Sequence, residues 1–339
     1  MPQPTCLVAQ PTHESGLHLL EAAGWRLLRP ASETMEGLEA AIGACQAVIT
    51  RNLGLSARAI EAGRSLQVIA NHGAGLDRVD LARASALGIP VVYTPGANAQ
   101  AVAEHAILLA MAVARRLVRG HQGVQGGDWS VRYAPGAMEL SGKTLGVVGF
   151  GAIGRAVARI AAQGFGMRVL VHSPRLDRAE LERLSYAAAP SLPALLSGAD
   201  VVTLHRPAAP GEPPVIDREA LRHARPGAIL VNTARAGLID HAALLEALAA
   251  GRLAGAGLDV FEQEPLPSHS ALLGCEQLVL SPHLGAGTED ALARMSLACA
   301  QQILDVVHGR RPAWLANGPV WPVRRGAAPA SSPAEGSLA

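Results

Sequence analysis

Three polar residues in the C-terminal half carry the first sign of chemistry. Arg235 stands in NTARAGLID, Glu264 in DVFEQEP five residues after Asp259, and His283 in LSPHLGAGT. Each follows a short apolar run that reads as a strand: Ala228 to Asn232, Gly255 to Asp259 and Gln277 to Leu280. In an open parallel sheet the ligand crevice lies beyond the carboxyl ends of the strands, so all three fall on one rim. An arginine there can clamp an α-keto carboxylate, and a histidine can give a proton to the ketone oxygen as hydride reaches the carbon. A glutamate can orient the imidazole and favour its protonated form. Taken singly, Arg235 reads as a solvated loop residue and His283 as a structural one. Their shared position after three strands favours the joint reading.

A site for a hydride donor precedes them. The segment TLGVVGFGAIGRAVARIAAQ sets Gly149, Gly151 and Gly154 in G-x-G-x-x-G spacing, with Ala152 and Ile153 completing the turn between an apolar strand and a helix. The first glycine permits the tight turn, the second lets a pyrophosphate approach the backbone, and the third lets the helix pack close to the strand. The helix N-terminus then offers free N–H groups to the phosphates. In that context the motif predicts dinucleotide binding, and the alternative is a purely structural turn. The second strand, RVLVHSPRLD, ends at His172, Ser173, Pro174 and Arg175 with no carboxylate to take a ribose 2′-hydroxyl. Asp177 reads instead as the N-cap of the helix that follows. Ser173 and Arg175 suit a 2′-phosphate, so NADP(H) is favoured and NAD(H) stays open; the plainer reading of Arg175 is a solvated arginine.

The elements that must position these groups alternate along the chain. Further strands read at Thr5 to Ala9, Ala47 to Thr50, Val68 to Ala70, Pro90 to Tyr93, Thr144 to Gly149, Arg168 to His172 and Val201 to Leu204, with helices between them, for example over 217–223, 240–250 and 288–307. Short continuous apolar runs are the mark of strands buried on both faces, and the alternation predicts parallel sheets with crossover helices. Residues 98–119 read as one long helical run and Gly120, Gly123, Gly126 and Gly127 as a loop after it. The last stretch, 324–339, is rich in Pro, Gly, Ala and Ser without periodicity and is expected to be disordered.

Composition excludes several classes. With 29 Lys and Arg against 28 Asp and Glu in 339 residues, the chain lacks the basic excess of a nucleic-acid-binding domain. The most apolar run, Ala106 to Ala114, is flanked by Glu104, His105, Arg115 and Arg116 and is too short to span a bilayer, which takes about 20 residues. The start MPQPTCLVAQ has neither a basic nor an apolar signal region, and the four cysteines form no CxxC pair. Reduced cytoplasmic thiols, no metal site and no membrane partner are the expectations.

In order, the segments NHGAGLDRVD from Asn71, TPGANAQAVAEH from Thr94, ELSGKTLGVVGFGAIGRAVA from Glu139, NTARAGLID, GLDVFEQEP and SPHLGAG resemble the D-isomer-specific 2-hydroxyacid dehydrogenase family. The likeness runs over about residues 45 to 320, and within the family it points to enzymes of the glyoxylate/hydroxypyruvate reductase kind. It implies an α/β fold in which a Rossmann-type doubly wound domain, 98–285, is inserted into a smaller flavodoxin-like substrate domain made of 1–97 and 286–323. The cleft between the domains would close on substrate. It implies that Arg235, Glu264 and His283 are the catalytic residues, and that the backbone of Gly73, Ala74 and Gly75 binds the substrate carboxylate. Asp259 would contact the nicotinamide carboxamide, Thr233, Ala234, His283 and Gly285 would line the nicotinamide end, and Pro207 would lie near the adenosine half. The helix after TPGAN would contribute to a homodimer.

Arg51 and Asn52, just past the strand ending at Thr50, are added candidates for substrate contact, although Arg51 also reads as a surface cap. Trp129 and Trp314 are read as core or hinge packing, with reach into a neighbouring subunit's site as the alternative. The chain departs from the family after His205-Arg206-Pro207, where AAPGEPPVID replaces the usual threonines. Glu264 stands where formate dehydrogenases carry glutamine, which disfavours formate oxidation. The expected activity is hydride transfer between NAD(P)H and a small 2-keto acid. A dinucleotide-sensing binding protein of the same fold and a phosphoglycerate dehydrogenase lacking its regulatory domain are the alternatives.

Overall fold

Runs of four or five apolar residues with a helix between each pair can satisfy their backbone and bury both faces only as parallel strands under crossover helices. The computed structural model describes residues 3–209 and 211–326, and builds two such sheets. The elements run β1 Thr5–Val8, α1 Glu14–Ala22, β2 Arg26–Leu28, α2 Met35–Ala41, β3 Ala47–Thr50, α3 Ala57–Ala62, β4 Val68–Asn71, α4 Leu81–Ala86 and β5 Val91–Val92. There follow α5 Ala99–Ala114, α6 Leu117–Gln125, β6 Thr144–Val148, α7 Ala152–Phe165, β7 Arg168–His172, α8 Arg178–Leu184, β8 Ala187–Ala188, α9 Leu192–Gly198 and β9 Val201–Leu204. The last are α10 Arg218–Arg222, β10 Ala228–Asn232, α11 His241–Ala249, β11 Leu253–Leu258, β12 Leu278–Leu280 and α12 Glu289–Val307. The described residues divide into two compact units, one from 3–98 together with 289–326, the other within 99–288.

The smaller unit holds five strands in the order β2-β1-β3-β4-β5, the flavodoxin-like order, all paired in parallel. Alternate residues feed two cores. Cys6, Val8, Ala47, Ile49, Val68 and Ala70 face α1 and α12, while Leu7, Val48 and Ile69 face the side of α2, α3 and α4. Helix α1 lies so close to α12 that a Cβ on Gly16 would fall 2.2 Å from the Ser296 carbonyl oxygen.

The larger unit holds seven parallel strands in the order β12-β11-β10-β9-β6-β7-β8. Order reverses at β6, whose neighbours are β7 and β9, which is the Rossmann arrangement with its crevice at the β6–β9 switch point. Leu145, Val147, Val169, Val171, Ile229 and Val231 pack toward α5 and α7, and Val202, Leu204, Leu230, Ala256 and Leu258 pack on the opposite face. Two edge strands, β2 and β8, escaped the sequence reading because they are short and partly exposed, with no buried apolar run to mark them.

Three readings are corrected. The helical run 98–119 is two helices, broken where Arg116 adopts a left-handed φ of 51°. No glycine or proline marks the break, and packing has to override the roughly 1–2 kcal/mol that a left-handed residue costs. Gly120 and Gly123 are not loop residues but lie inside α6, where Gly123 abuts Val131. Trp129, at 64% exposed, is no core residue, and Trp314 is half exposed. The expected disordered tail lies outside the described residues except for 324–326, and these are packed. The Arg324 guanidinium sits 3.9 Å over the Trp321 ring, and Arg325 donates to the carbonyls of Gly63, Arg64 and Leu66. No described helix is long and apolar enough to cross a membrane.

Close approach of α5 to the sheet depends on glycine in β11: a Cβ on Gly257 would meet the Leu109 Cβ at 2.8 Å. Gly257→Ala should therefore cost about 1–3 kcal/mol by overpacking. Gly164→Ala, in α7 with nothing within 4 Å of the added carbon, should add about 0.5–1 kcal/mol. Urea midpoints of the two variants that moved in the same direction would refute this account of the packing.

Candidate active site

The glycine turn connects β6 to α7. Gly149 takes φ +95°, and a Cβ there would lie 2.5 Å from the His205 carbonyl oxygen, so neither the turn nor the neighbouring strand end admits a side chain. Gly154 is as constrained, since its Cβ would come within 2.2 Å of the Gly149 carbonyl oxygen. Gly151 is the N-cap of α7 without a side-chain cap, and the space beside it is open. Ala152 and Ile153 form the first turn of the helix, where backbone N–H groups have no intrahelical acceptor. Arg155, one turn on, is tied to Glu180 at 2.6 Å and donates to the Phe150 carbonyl oxygen, stiffening the turn from below. The turn thus offers only backbone groups, the kind of surface that could hold phosphates.

At the end of β7, Ser173 is partly buried and Arg175 is exposed. Asp177 does cap α8, accepting from the Ala179 and Glu180 amides at 3.0 and 3.3 Å. At the end of β9, His205 donates or accepts at Thr203 Oγ1 across 2.8 Å, while its Nδ1 is buried with no partner among the described residues. Burial lowers the pKa of His205 to about 3. Pro207 is exposed and accepts from Arg206 Nε at 3.1 Å. After β10, the Thr233 hydroxyl is likewise buried and unpartnered. Orphaned polar atoms beside an open glycine turn fit a bound polar ligand, and the donor set suits a dinucleotide.

Arg235 is placed by the side chain that ends β10. Asn232 accepts from the Ala234 amide at 3.0 Å and donates to the Arg235 carbonyl oxygen at 2.8 Å, turning the chain sharply at the strand end. The guanidinium is half-buried and bonds the Ala234 carbonyl oxygen at 2.7 Å. Glu264 comes from the loop after β11 and is steadied by the Phe261 amide at 3.2 Å. His283 comes from the loop after β12, in a left-handed conformation with φ 55°. The two meet: His283 Nδ1 lies 3.2 and 3.1 Å from the two Glu264 oxygens. The Glu264 side chain is 18% exposed and the imidazole 37%, so the pair is reachable from solvent through the histidine.

Asp259 anchors this rim. It is 1% exposed, and its carboxylate takes the Ser281 hydroxyl at 2.6 Å and the Leu284 and Gly285 amides at 2.8 Å each, with His105 Nε2 3.2 Å away. Burial alone would raise its pKa, but these donors outweigh it and hold it below the usual carboxylate range. Its backbone carbonyl accepts the His283 amide at 2.9 Å. Gly285 is buried beside it, and a Cβ there would sit 3.0 Å from Asp259 Oδ2. Sequence reasoning missed His105 and Ser281, which lie 176 residues apart in the chain and match no local motif.

On the smaller unit, the loop after β4 is held by Asn71, which donates to the carbonyls of Gly73 and Gly75 at 3.2 and 2.8 Å. The Gly73 amide is committed to the Asn71 carbonyl at 2.9 Å. Arg51 is partly buried and bonds the Pro11 carbonyl oxygen at 3.2 Å; the Asn52 carbonyl accepts from Arg78 at 2.7 Å. Among the described residues no group of three or more His, Cys, Asp or Glu could hold a metal ion.

The family model described as D-isomer specific 2-hydroxyacid dehydrogenase, NAD binding domain, matches residues 107–285. A glyoxylate reductase of Korarchaeum cryptofilum is 39% identical over 273 residues, covering 80% of this chain and 82% of that protein. A D-3-phosphoglycerate dehydrogenase of Methanocaldococcus jannaschii is 36% identical over 303 residues, or 89% of this chain, but the match spans only 57% of that longer protein. The crystal structure of an NADPH-dependent glyoxylate/hydroxypyruvate reductase from Sinorhizobium meliloti superposes with a TM-score of 0.82 at 28% identity, covering 95% of this chain and all of that one.

One consequence of the His205 environment can be measured. The unfolded chain takes up a proton near the ordinary value of 6.5, while folded His205 stays neutral to about 3. The unfolded state therefore binds more protons between these values, and His205 subtracts stability as pH falls from 6.5 toward 3. His205→Gln should make the loss of urea resistance between pH 7 and pH 4 shallower; an unchanged slope would remove His205 from that dependence.

Proposed function

The chain belongs to the D-isomer specific 2-hydroxyacid dehydrogenase family, and from that premise we propose that it reduces a short, unphosphorylated 2-keto acid of the glyoxylate or hydroxypyruvate class. The observation that carries this reading is the His283–Glu264 pair, formed from two loops after neighbouring parallel strands on the unit that bears the glycine turn. The nicotinamide dinucleotide supplies the hydride. Glu264 accepts Nδ1–H and fixes the ring, so that the proton for the carbonyl oxygen leaves from Nε2 of the imidazolium. Arg235 binds the carboxylate and polarises the carbonyl. Keto acid, NAD(P)H and one proton give the 2-hydroxy acid and NAD(P)+.

Gly149, Gly151, Ala152, Ile153 and Gly154 are our phosphate cradle, and Thr233, Ala234, Asp259 and Gly285 our nicotinamide contacts, with Pro207 toward the adenosine. Arg51, Asn52 and the Gly73–Ala74–Gly75 loop are proposed substrate contacts. The absence of a carboxylate at the end of β7, with Asp177 committed to the α8 cap, supports NADP(H) over NAD(H) through Ser173 and Arg175. A phosphorylated keto acid is the second reading, supported by the match to the M. jannaschii dehydrogenase.

The test is turnover of glyoxylate, hydroxypyruvate, pyruvate and a phosphorylated keto acid with NADPH and with NADH. Oxidation of neither cofactor would overturn the enzyme in favour of a dinucleotide-sensing protein. His283→Ala should lower kcat about 10²–10⁴-fold with little change in stability. Arg175→Ala should erode the preference for NADPH, and an unchanged NADPH/NADH ratio would overturn the assignment of Arg175.

We also propose a homodimer through α5, α6 and the turn after them, where Leu108, Leu117, Val118, Val124, Trp129 and Tyr133 are exposed by 41–80%. Sedimentation should give twice the 35.0 kDa of the chain, and a monomer at assay concentration would refute it.

A further inference from the structure

We propose that His105 is a positioning residue for the reduction: by donating from Nε2 to Ser281 it locks the Ser281–Asp259 pair that holds the His283 loop. The proposal rests on the reductase reading for its kinetic consequence, and on geometry for the rest. His105 Nε2 lies 2.8 Å from Ser281 Oγ and 3.2 Å from Asp259 Oδ1, and Ser281 Oγ lies 2.6 Å from the same carboxylate oxygen. These contacts fix the direction of every proton. An ionised carboxylate only accepts, so the single Ser281 proton must point at Asp259. Ser281 Oγ is then the acceptor for the ring nitrogen 2.8 Å away, which must carry hydrogen. His105 is thereby confined to forms with Nε2–H, and the chain runs from imidazole to hydroxyl to carboxylate, with Asp259 Oδ1 at 3.2 Å a second acceptor for the same hydrogen.

The anchor for this chain is rigid. His105 is 14% exposed and stands on α5 between Ala103 and Ala106, which are buried at 0% and 2%. What it steadies is not. His283 holds a left-handed φ of 55°, a strained conformation for a residue other than glycine that persists only where neighbours impose it. The His283 amide is shared between the backbone carbonyls of Asp259 and Ser281, and the Asp259 carboxylate takes the next two amides, Leu284 and Gly285. Rotation of Asp259 about its side-chain bonds would release Leu284 and Gly285 together. The Ser281 hydroxyl, held by His105, resists that rotation. His105 touches neither substrate nor cofactor in this scheme, and its effect should therefore fall on the placement of the proton donor.

Four variants test it: His105→Phe, His105→Gln, Ser281→Ala, and His105→Phe with Ser281→Ala. His105→Phe should lower kcat about 10-fold, less than the ~10²-fold expected of a 1 Å misplacement, and leave KM for the keto acid within about 2-fold. His105→Gln, whose side-chain amide still donates, should recover most of the loss. Adding His105→Phe to Ser281→Ala should cost little more, because the effect passes through the hydroxyl. In parallel, 15N NMR of histidine-labelled protein should show His105 with hydrogen on Nε2 in the wild type. This readout needs no turnover, so an inactive wild type would count against the reductase reading while the spectrum still judges the clamp. It also serves, with His105→Gln, if His105→Phe does not fold. The proposal is overturned by an Nδ1–H tautomer in the wild type, by kcat of a folded His105→Phe within 2-fold of wild type, or by losses that multiply in the double variant.

Discussion

A carboxylate withdrawn from water must find hydrogen-bond donors or give up its charge. Asp259, at 1% exposed, finds them in a hydroxyl, two backbone amides and an imidazole, all from the loop after the next strand or from the helix above. That single requirement organises the rim. It draws the loop after β12 across the end of β11, forces His283 out of ordinary backbone geometry, and so delivers an imidazole to a glutamate that arrives from the other side. Without the buried charge, two neighbouring loops would have no reason to register with one another to within a hydrogen-bond length.

The glycine turn solves a similar problem with the opposite sign. There the ligand is expected to bring the charge and the protein supplies unpaired N–H groups. Gly149 and Gly154 are needed because the turn packs against backbone on both sides, at His205 and on itself. Once the turn is closed, the first residues of α7 have nowhere to send their amides except outward. Near the strand ends, buried polar atoms of Thr233 and His205 likewise have no partner among the described residues.

What the amino-acid order made legible follows the range of the interactions. Gly149, Gly151 and Gly154 are recognised because their constraint is local, and the inner strands of the two parallel sheets because each is a continuous apolar run. Arg235, Glu264 and His283 could be grouped because a parallel sheet brings every strand end to one side. The Asp177 cap is a matter of three residues. The break at Arg116 was not legible, since only packing forces an arginine into a left-handed turn. Nor were β2 and β8, whose exposed faces carry no pattern. His105 lay furthest from view, because its meaning depends on a serine 176 positions away. The contacts of Arg51 and Asn52 are with backbone carbonyl and arginine partners that sequence spacing does not announce.

The discontinuous make-up of the smaller unit bears on how the chain comes off the ribosome. One face of its sheet, with Cys6, Ile49 and Val68, is closed together with Leu17 and Leu20 of α1 by Cys299, Ala300, Ile303 and Leu304 of α12. Those residues are made only after the whole of 99–288 has emerged, which at 5–20 residues per second is a delay on the order of ten seconds or more. Through that interval the first unit to be synthesised keeps an apolar face uncovered while the second, contiguous in sequence, can complete itself. Helix α12, made after 99–288, thus closes a face begun with residues 1–98, and a pause before it leaves that apolar surface open.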